Sequence, residues 1–126
     1  MAAGLATLRV LEAQAGWDRL EALGSFWRER VEEVLARLGV PVAFRGIGSM
    51  FWFSFDTRVA PRSFDAIPQT AASRYARFFS ALIEKEIYFA PSAYEVGFLN
   101  LAMTEAHLEE AAAAVEYALS VAYRDS

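Results

Sequence analysis

Between Leu20 and Leu38 apolar residues return every three or four positions: Leu20, Leu23, Trp27, Val31, Val34, Leu35 and Leu38. That spacing places them on one stripe of a helix, while Arg19, Arg28, Glu29, Glu32, Glu33 and Arg37 fill the other faces. Asp18 suits the positive start of this helix, Gly39 supplies a C-terminal cap and Pro41 bars continuation. Residues 2–13 also predict a helix, separated from the next by Gly16, yet only Thr7, Arg9 and Glu12 are polar between Ala2 and Ala13. A helix apolar on nearly every side is expected to be covered on more than one side. Nothing upstream in this sequence could cover it, which gives the expectation of a piece taken from a longer protein.

After Pro41 the period changes. Val42–Ile47 and Ser49–Phe55 read as strands, with Phe51, Phe53 and Phe55 alternating against Trp52 and Ser54. Gly46 and Gly48 flank Ile47 and mark a tight turn or bulge. Residues 56–68, with Pro61 and Pro68, read as an irregular loop, and residues 69–86 as a helix burying Tyr75, Phe78, Phe79, Leu82 and Ile83. Ile87–Phe89 predicts a short strand, Pro91-Ser92 a turn and Phe98–Ala102 a further strand. Thr104 is the N-cap expected for a last helix to about residue 122, with Leu108, Ala111, Val115, Ala118, Leu119 and Ala122 on its stripe. The order α-α-β-β-α-β-β-α predicts an α+β fold, a small antiparallel sheet with helices packed on one face.

Composition narrows the partners. At 56% hydrophobic and 14% aromatic, the chain of 126 residues is rich in apolar surface for one small domain, which suggests that some of it meets a partner. The formal net charge is -4 and the basic residues are scattered, which excludes the Lys/Arg cluster that a nucleic-acid backbone requires. No apolar run approaches the roughly 20 residues of a membrane helix. There is no cysteine, hence neither a disulfide framework nor a thiolate metal site, and the N-terminus lacks the basic start of a secretory signal. Both features favour a cytoplasmic location. Eleven arginines stand against a single lysine, Lys85, a bias read first as that of a genome rich in G and C.

Candidate chemistry is sparse. His107, the only histidine, sits in the first turn of the last helix with neither a metal cluster nor a nucleophile beside it, and reads as a solvent-facing side chain. Gly46-Ile47-Gly48 is too short for a phosphate-binding fingerprint, and no serine lies in a nucleophile elbow. Lys85, in Glu84-Lys85-Glu86, has a charged, water-facing setting rather than the desolvated one that a nucleophilic amine needs. Glu95 is different, being a lone carboxylate in the apolar and aromatic run Tyr88-Phe89-Ala90-Pro91-Ser92-Ala93-Tyr94-Glu95-Val96-Gly97-Phe98-Leu99. It is either paired with an arginine or exposed on a loop, or it faces a pocket at a strand start and binds a cationic or polar substrate group. Tyr94 reads as packing and Ser92 as the cap of the turn.

Four segments, in order, resemble glutamate-1-semialdehyde 2,1-aminomutases, a branch of the class III aminotransferases. Ala2-Ala3-Gly4-Leu5-Ala6-Thr7-Leu8 is similar to the helix after the cofactor domain, and Gly48-Ser49-Met50-Phe51 to a strand signature of the small domain. Arg74-Tyr75-Ala76-Arg77-Phe78-Phe79 is similar to that domain's third helix, and Tyr88 to Leu101 to its closing motif, where Pro91-Ser92 with Glu95 favours the aminomutase over its relatives. The pattern is departed from in the loop Asp56–Pro68, at Glu86 where glycine is frequent, at Met103 where histidine is frequent, and at His107 in place of an acidic residue.

The resemblance implies that residues 1–126 form a single C-terminal small domain, with leading helices over 1–38 and a sheet-and-helix core over 40–126. It implies a parent that binds pyridoxal 5'-phosphate, works as a homodimer and turns glutamate 1-semialdehyde into 5-aminolevulinate for tetrapyrrole synthesis. The large cofactor domain is absent from this sequence, so no cofactor is expected on the chain alone and no activity either. By position in the motif, Glu95 takes the role of a carboxylate lining the pocket for a small amino-acid-like substrate. Two alternatives stay open: the matching domain of another class III aminotransferase, and a free-standing module that self-associates through helix 2–13.

Overall fold

The structure, a computed structural model, describes residues 1–124. Four α-helices, three strands and one 3-10 turn follow in the order α1 (Ala2–Ala13), α2 (Gly16–Leu38), β1 (Val42–Ile47), β2 (Met50–Phe55), the 3-10 turn Phe64–Ala66, α3 (Ala71–Glu84), β3 (Gly97–Phe98) and α4 (Glu105–Ala122). The strands form one antiparallel sheet in the order β1-β2-β3. The fold is α+β as the patterning predicts.

Local chemistry sets the boundaries. Gly39 ends α2 at φ 65°, and its N–H donates to the Leu35 carbonyl at 2.9 Å. Ile47 pairs with Met50, so the hairpin turns on Gly48-Ser49, with Gly48 at φ 53° as a two-residue turn of this hand demands. α4 begins at a reciprocal cap, in which the Thr104 hydroxyl accepts the His107 N–H at 3.3 Å and His107 Nδ1 accepts the Thr104 N–H at 3.2 Å. His107 is therefore exposed, as expected, but it also holds a helix start in the place where glutamate or glutamine is usual.

Phe51, Phe53 and Phe55 point from β2 into the core, where Trp27 of α2 and Phe78 of α3 meet them ring to ring. α4 closes the same side with Leu108, Val115, Ala118 and Leu119. It also buries Ala112 and Ala114, off the expected stripe, because it packs against both α2 and α3 and small side chains let them approach. Gly24 serves a similar purpose on α2, since a Cβ there would overlap the Gly48 carbonyl of the hairpin turn. At the far end, Arg74 Nε donates to Asp56 Oδ1 at 3.1 Å and Tyr123 Oη donates to the same oxygen at 3.1 Å, tying α3 and the end of α4 to the end of β2.

Three expectations are corrected. Ile87–Phe89 forms no strand: Ile87 and Phe89 turn into the core and Tyr88 outward, with no ladder partner. The strand expected over Phe98–Ala102 is Gly97–Phe98, continued by one bond from the Leu99 N–H to Ser49 O. Asn100 then ends it, its side chain accepting the Ala102 N–H and its carbonyl the Met103 N–H. Ile83 is 45% exposed, one position off the face that buries Phe78 and Leu82. The helix expected over residues 2–13 is present as α1 and, with nothing in this sequence to cover it, buries no residue among those described; it packs on α2 and leaves Leu5, Leu8 and Val10 facing out.

Candidate functional site

The segment that carries Glu95 is irregular but firmly held. It leaves α3 through a Schellman ending, with the Glu86 N–H on Ile83 O and the Ile87 N–H on Leu82 O, both at 3.0 Å. Glu86 occupies the left-handed position at φ 60°, which glycine adopts at least cost. Phe89 then anchors the segment in the core against Trp27, Phe51, Phe53 and Phe78.

Two side chains from elsewhere fasten the next residues. Tyr75 Oη on α3 donates to the Ala90 carbonyl at 2.5 Å, and Trp52 Nε1 on β2 donates to the Ala93 carbonyl at 2.9 Å. Between them Ser92 caps the turn as expected: its Oγ accepts the Tyr94 N–H and its carbonyl accepts the Glu95 N–H, each at 3.2 Å. The chain re-enters the sheet at Gly97, opposite Phe51, whose ring lies where a Cβ on Gly97 would stand. Tyr94 is half exposed and packs on Phe64 of the 3-10 turn, with ring centres 5.4 Å apart.

Glu95 is exposed at the edge of a small depression shared with Trp52, Phe53 and Tyr75. Of the settings left open above, the chain thus shows a carboxylate on a loop, without an ion pair among the described residues. Since it stays in water it bears no burial cost, and it is free to accept hydrogen bonds or to pair with a cation brought to it. Burial, and then the nearby Glu95 charge, push the Tyr75 hydroxyl up to about 12. Tyr75 is therefore a hydrogen-bond donor across the physiological range. The sequence places Tyr75 on a buried helix face and Trp52 in a strand, but their role as anchors is not visible there, because they lie 15 and 41 residues from the carbonyls they hold.

The two buried tyrosine hydroxyls give a pH expectation. Burial also raises Tyr123 to about 12. Above the ordinary value of 10.0 the unfolded chain gives up these protons while the folded chain keeps them. Stability is then lost as pH rises through the window from 10.0 to about 12. Thermal melts across that window should show a falling midpoint, and a Tyr75→Phe/Tyr123→Phe variant should show a flatter decline from a lower start.

Among the described residues no group of three or more His, Cys, Asp or Glu side chains is placed to hold a metal ion. No helix of the structure is long and apolar enough to cross a membrane.

No protein-family model matches the chain. Curated proteins do. It is 40% identical over 120 residues to the glutamate-1-semialdehyde 2,1-aminomutase of Thermus thermophilus, an alignment that takes in 94% of this chain and 28% of that protein. The enzyme of the same name from Bdellovibrio bacteriovorus is 34% identical over 112 residues, 89% of this chain and 26% of its own length. This chain is related to the glutamate-1-semialdehyde 2,1-aminomutases. It spans about a quarter of the length of the aminomutases it matches. Among solved structures, an omega-transaminase from Sphaerobacter thermophilus superposes with a TM-score of 0.82 at 30% identity, covering 95% of this chain and 27% of that one. A transaminase with PLP bound gives a TM-score of 0.76 at 27% identity, with 97% and 27% covered.

This aminomutase-like chain does not itself fit pyridoxal phosphate. Its one lysine, Lys85, stands exposed beyond the end of α3 with Nζ 4.3 Å from the centre of the Tyr117 ring, on open surface rather than in a desolvated pocket.

Proposed function

We propose that the chain is the C-terminal small domain of a pyridoxal-phosphate-dependent aminomutase that converts glutamate 1-semialdehyde to 5-aminolevulinate in tetrapyrrole synthesis. The observation that carries this reading is the match to the Thermus thermophilus aminomutase, which runs through 94% of this chain and only 28% of that enzyme. In the parent, a cytoplasmic homodimer, residues outside this chain hold the cofactor. The domain closes one side of the substrate site, and Glu95, on its fastened loop, receives the polar or cationic end of the amino-acid-like substrate. Tyr75 and Trp52 keep it there by fixing the carbonyls on either side of Pro91. The exposed apolar residues of α1 and Trp17 support a further surface for the large domain or the second subunit. The isolated chain is inactive in this reading.

The test is a chimera in which this chain replaces the matching 120 residues of the Thermus thermophilus enzyme. It should form 5-aminolevulinate from glutamate 1-semialdehyde, while the isolated chain with added cofactor should not. Glu95→Gln in the chimera removes a charged acceptor and should raise KM by roughly 10-fold to 100-fold, with a smaller change in kcat. A folded chimera that transfers amino groups between external partners and makes no 5-aminolevulinate would favour the sister aminotransferase, the reading that the omega-transaminase superposition supports.

A further inference from the structure

β2 lies between two neighbours, and the hairpin register decides which of its residues serves each. Ile47 and Met50 flank a two-residue turn, so they exchange both of their backbone bonds. The alternation of an antiparallel ladder then gives Met50, Trp52 and Ser54 to β1 and turns the N–H and C=O of Phe51 and Phe53 toward β3. Phe51 meets Gly97 there, and the bond from the Leu99 N–H to Ser49 O continues the ladder in the same phase. In the other direction the next pair would be Phe53 with Glu95. That pair does not form, because the Glu95 N–H is turned away onto Ser92 O at 3.2 Å and the ladder stops at Gly97. Phe53 is only 4% exposed, yet its N–H and C=O meet no hydrogen-bonding group among the described residues.

Buried backbone groups are rarely left without a partner. Phe53 and Glu95 line the small depression between β2 and the segment that Tyr75 and Trp52 fasten, and its volume of about 10 Å³ is that of one water. We infer that this depression is a binding site for a single ordered water, which completes the ladder in place of the missing pair. The water accepts the Phe53 N–H, donates to the Glu95 carbonyl and gives its second proton to the Phe53 carbonyl. An apolar group in the same place would leave both groups of Phe53 unpaired, and a larger polar molecule has no room. The site is a third fastening of the loop. Tyr75 holds Ala90, Trp52 holds Ala93, and the water holds Glu95 itself by its backbone, wherever its carboxylate points. The inference concerns the chain's own ladder and stands apart from the aminomutase reading.

The test is a crystal structure of the full 126-residue chain at a resolution that shows ordered water. A density peak is expected within roughly 2.7–3.2 Å of both Phe53 N and Glu95 O in every copy. A ladder closed directly, with the Phe53 N–H on Glu95 O, would overturn the inference. So would a depression filled by a side chain, or one without a peak. A Glu95→Ala variant, altered at an exposed position, should keep the fold and keep the peak, because backbone groups alone build the site. Loss of the peak in that variant would mean that the carboxylate holds the water, and the ladder-completing arrangement would be wrong.

Discussion

Gly24→Ala is expected to lower stability by about 3 kcal/mol, the upper range for overpacking, and the thermal midpoint by roughly 10 °C. The added Cβ would fall on the Gly48 carbonyl, and both partners are backbone, so no flexible side chain can yield. Either α2 slides or the hairpin turn opens, and Gly48 is already committed to positive φ. Gly4→Ala is the internal control, because a Cβ there meets nothing within 4 Å. Ala is the better helix former, so the same substitution in α1 should leave the midpoint unchanged or raised. Melting curves of the two variants should diverge in sign, and equal small effects would mean that α2 and the hairpin do not approach as closely as described.

Phe78→Ala should cost about 3–5 kcal/mol, a large part of the total stability of roughly 5–15 kcal/mol usual for a domain. Phe78 is fully buried, and its ring centre lies 5.1 Å from that of Phe55, 5.7 Å from Tyr75, 5.8 Å from Phe53 and 6.2 Å from Phe89. Truncation therefore opens a cavity where α3, β2 and the segment leading to Glu95 meet. Urea unfolding should show the loss as a lower midpoint. Ile83→Ala, five residues further along α3 on exposed surface, should change it by less than about 0.5 kcal/mol. A comparable loss at both positions would contradict the assignment of the buried face.

The helices were legible because their signals are local. The stripe from Leu20 to Leu38, Gly39 at its end and Thr104 before the last helix each act within a few residues, and the structure places α2 and α4 accordingly. The alternation of Phe51, Phe53 and Phe55 was equally direct. The stretch from Ile87 to Asn100 was not, because what shapes it comes from afar: Tyr75 and Trp52 take carbonyls that a strand partner would otherwise claim. Glu95 could be picked out as chemically odd, but whether it was buried depended on that unread path. His107 is the opposite case. The Thr-x-x-His spacing was in plain view, and only the expectation of glutamate at its last place concealed a cap.

α1 bears on how the molecule comes apart. Its 12 residues are too few to hold a helix well in water unaided, and it contributes nothing to the buried core. Its backbone can open without disturbing Trp27, Phe78 or Leu119, so the cooperative unit begins near Gly16. Amide protons of α1 will exchange with solvent through local fraying while those of α3 and α4 wait for global unfolding. On warming, the first event expected is the release of a short apolar segment from an intact body, ahead of core melting.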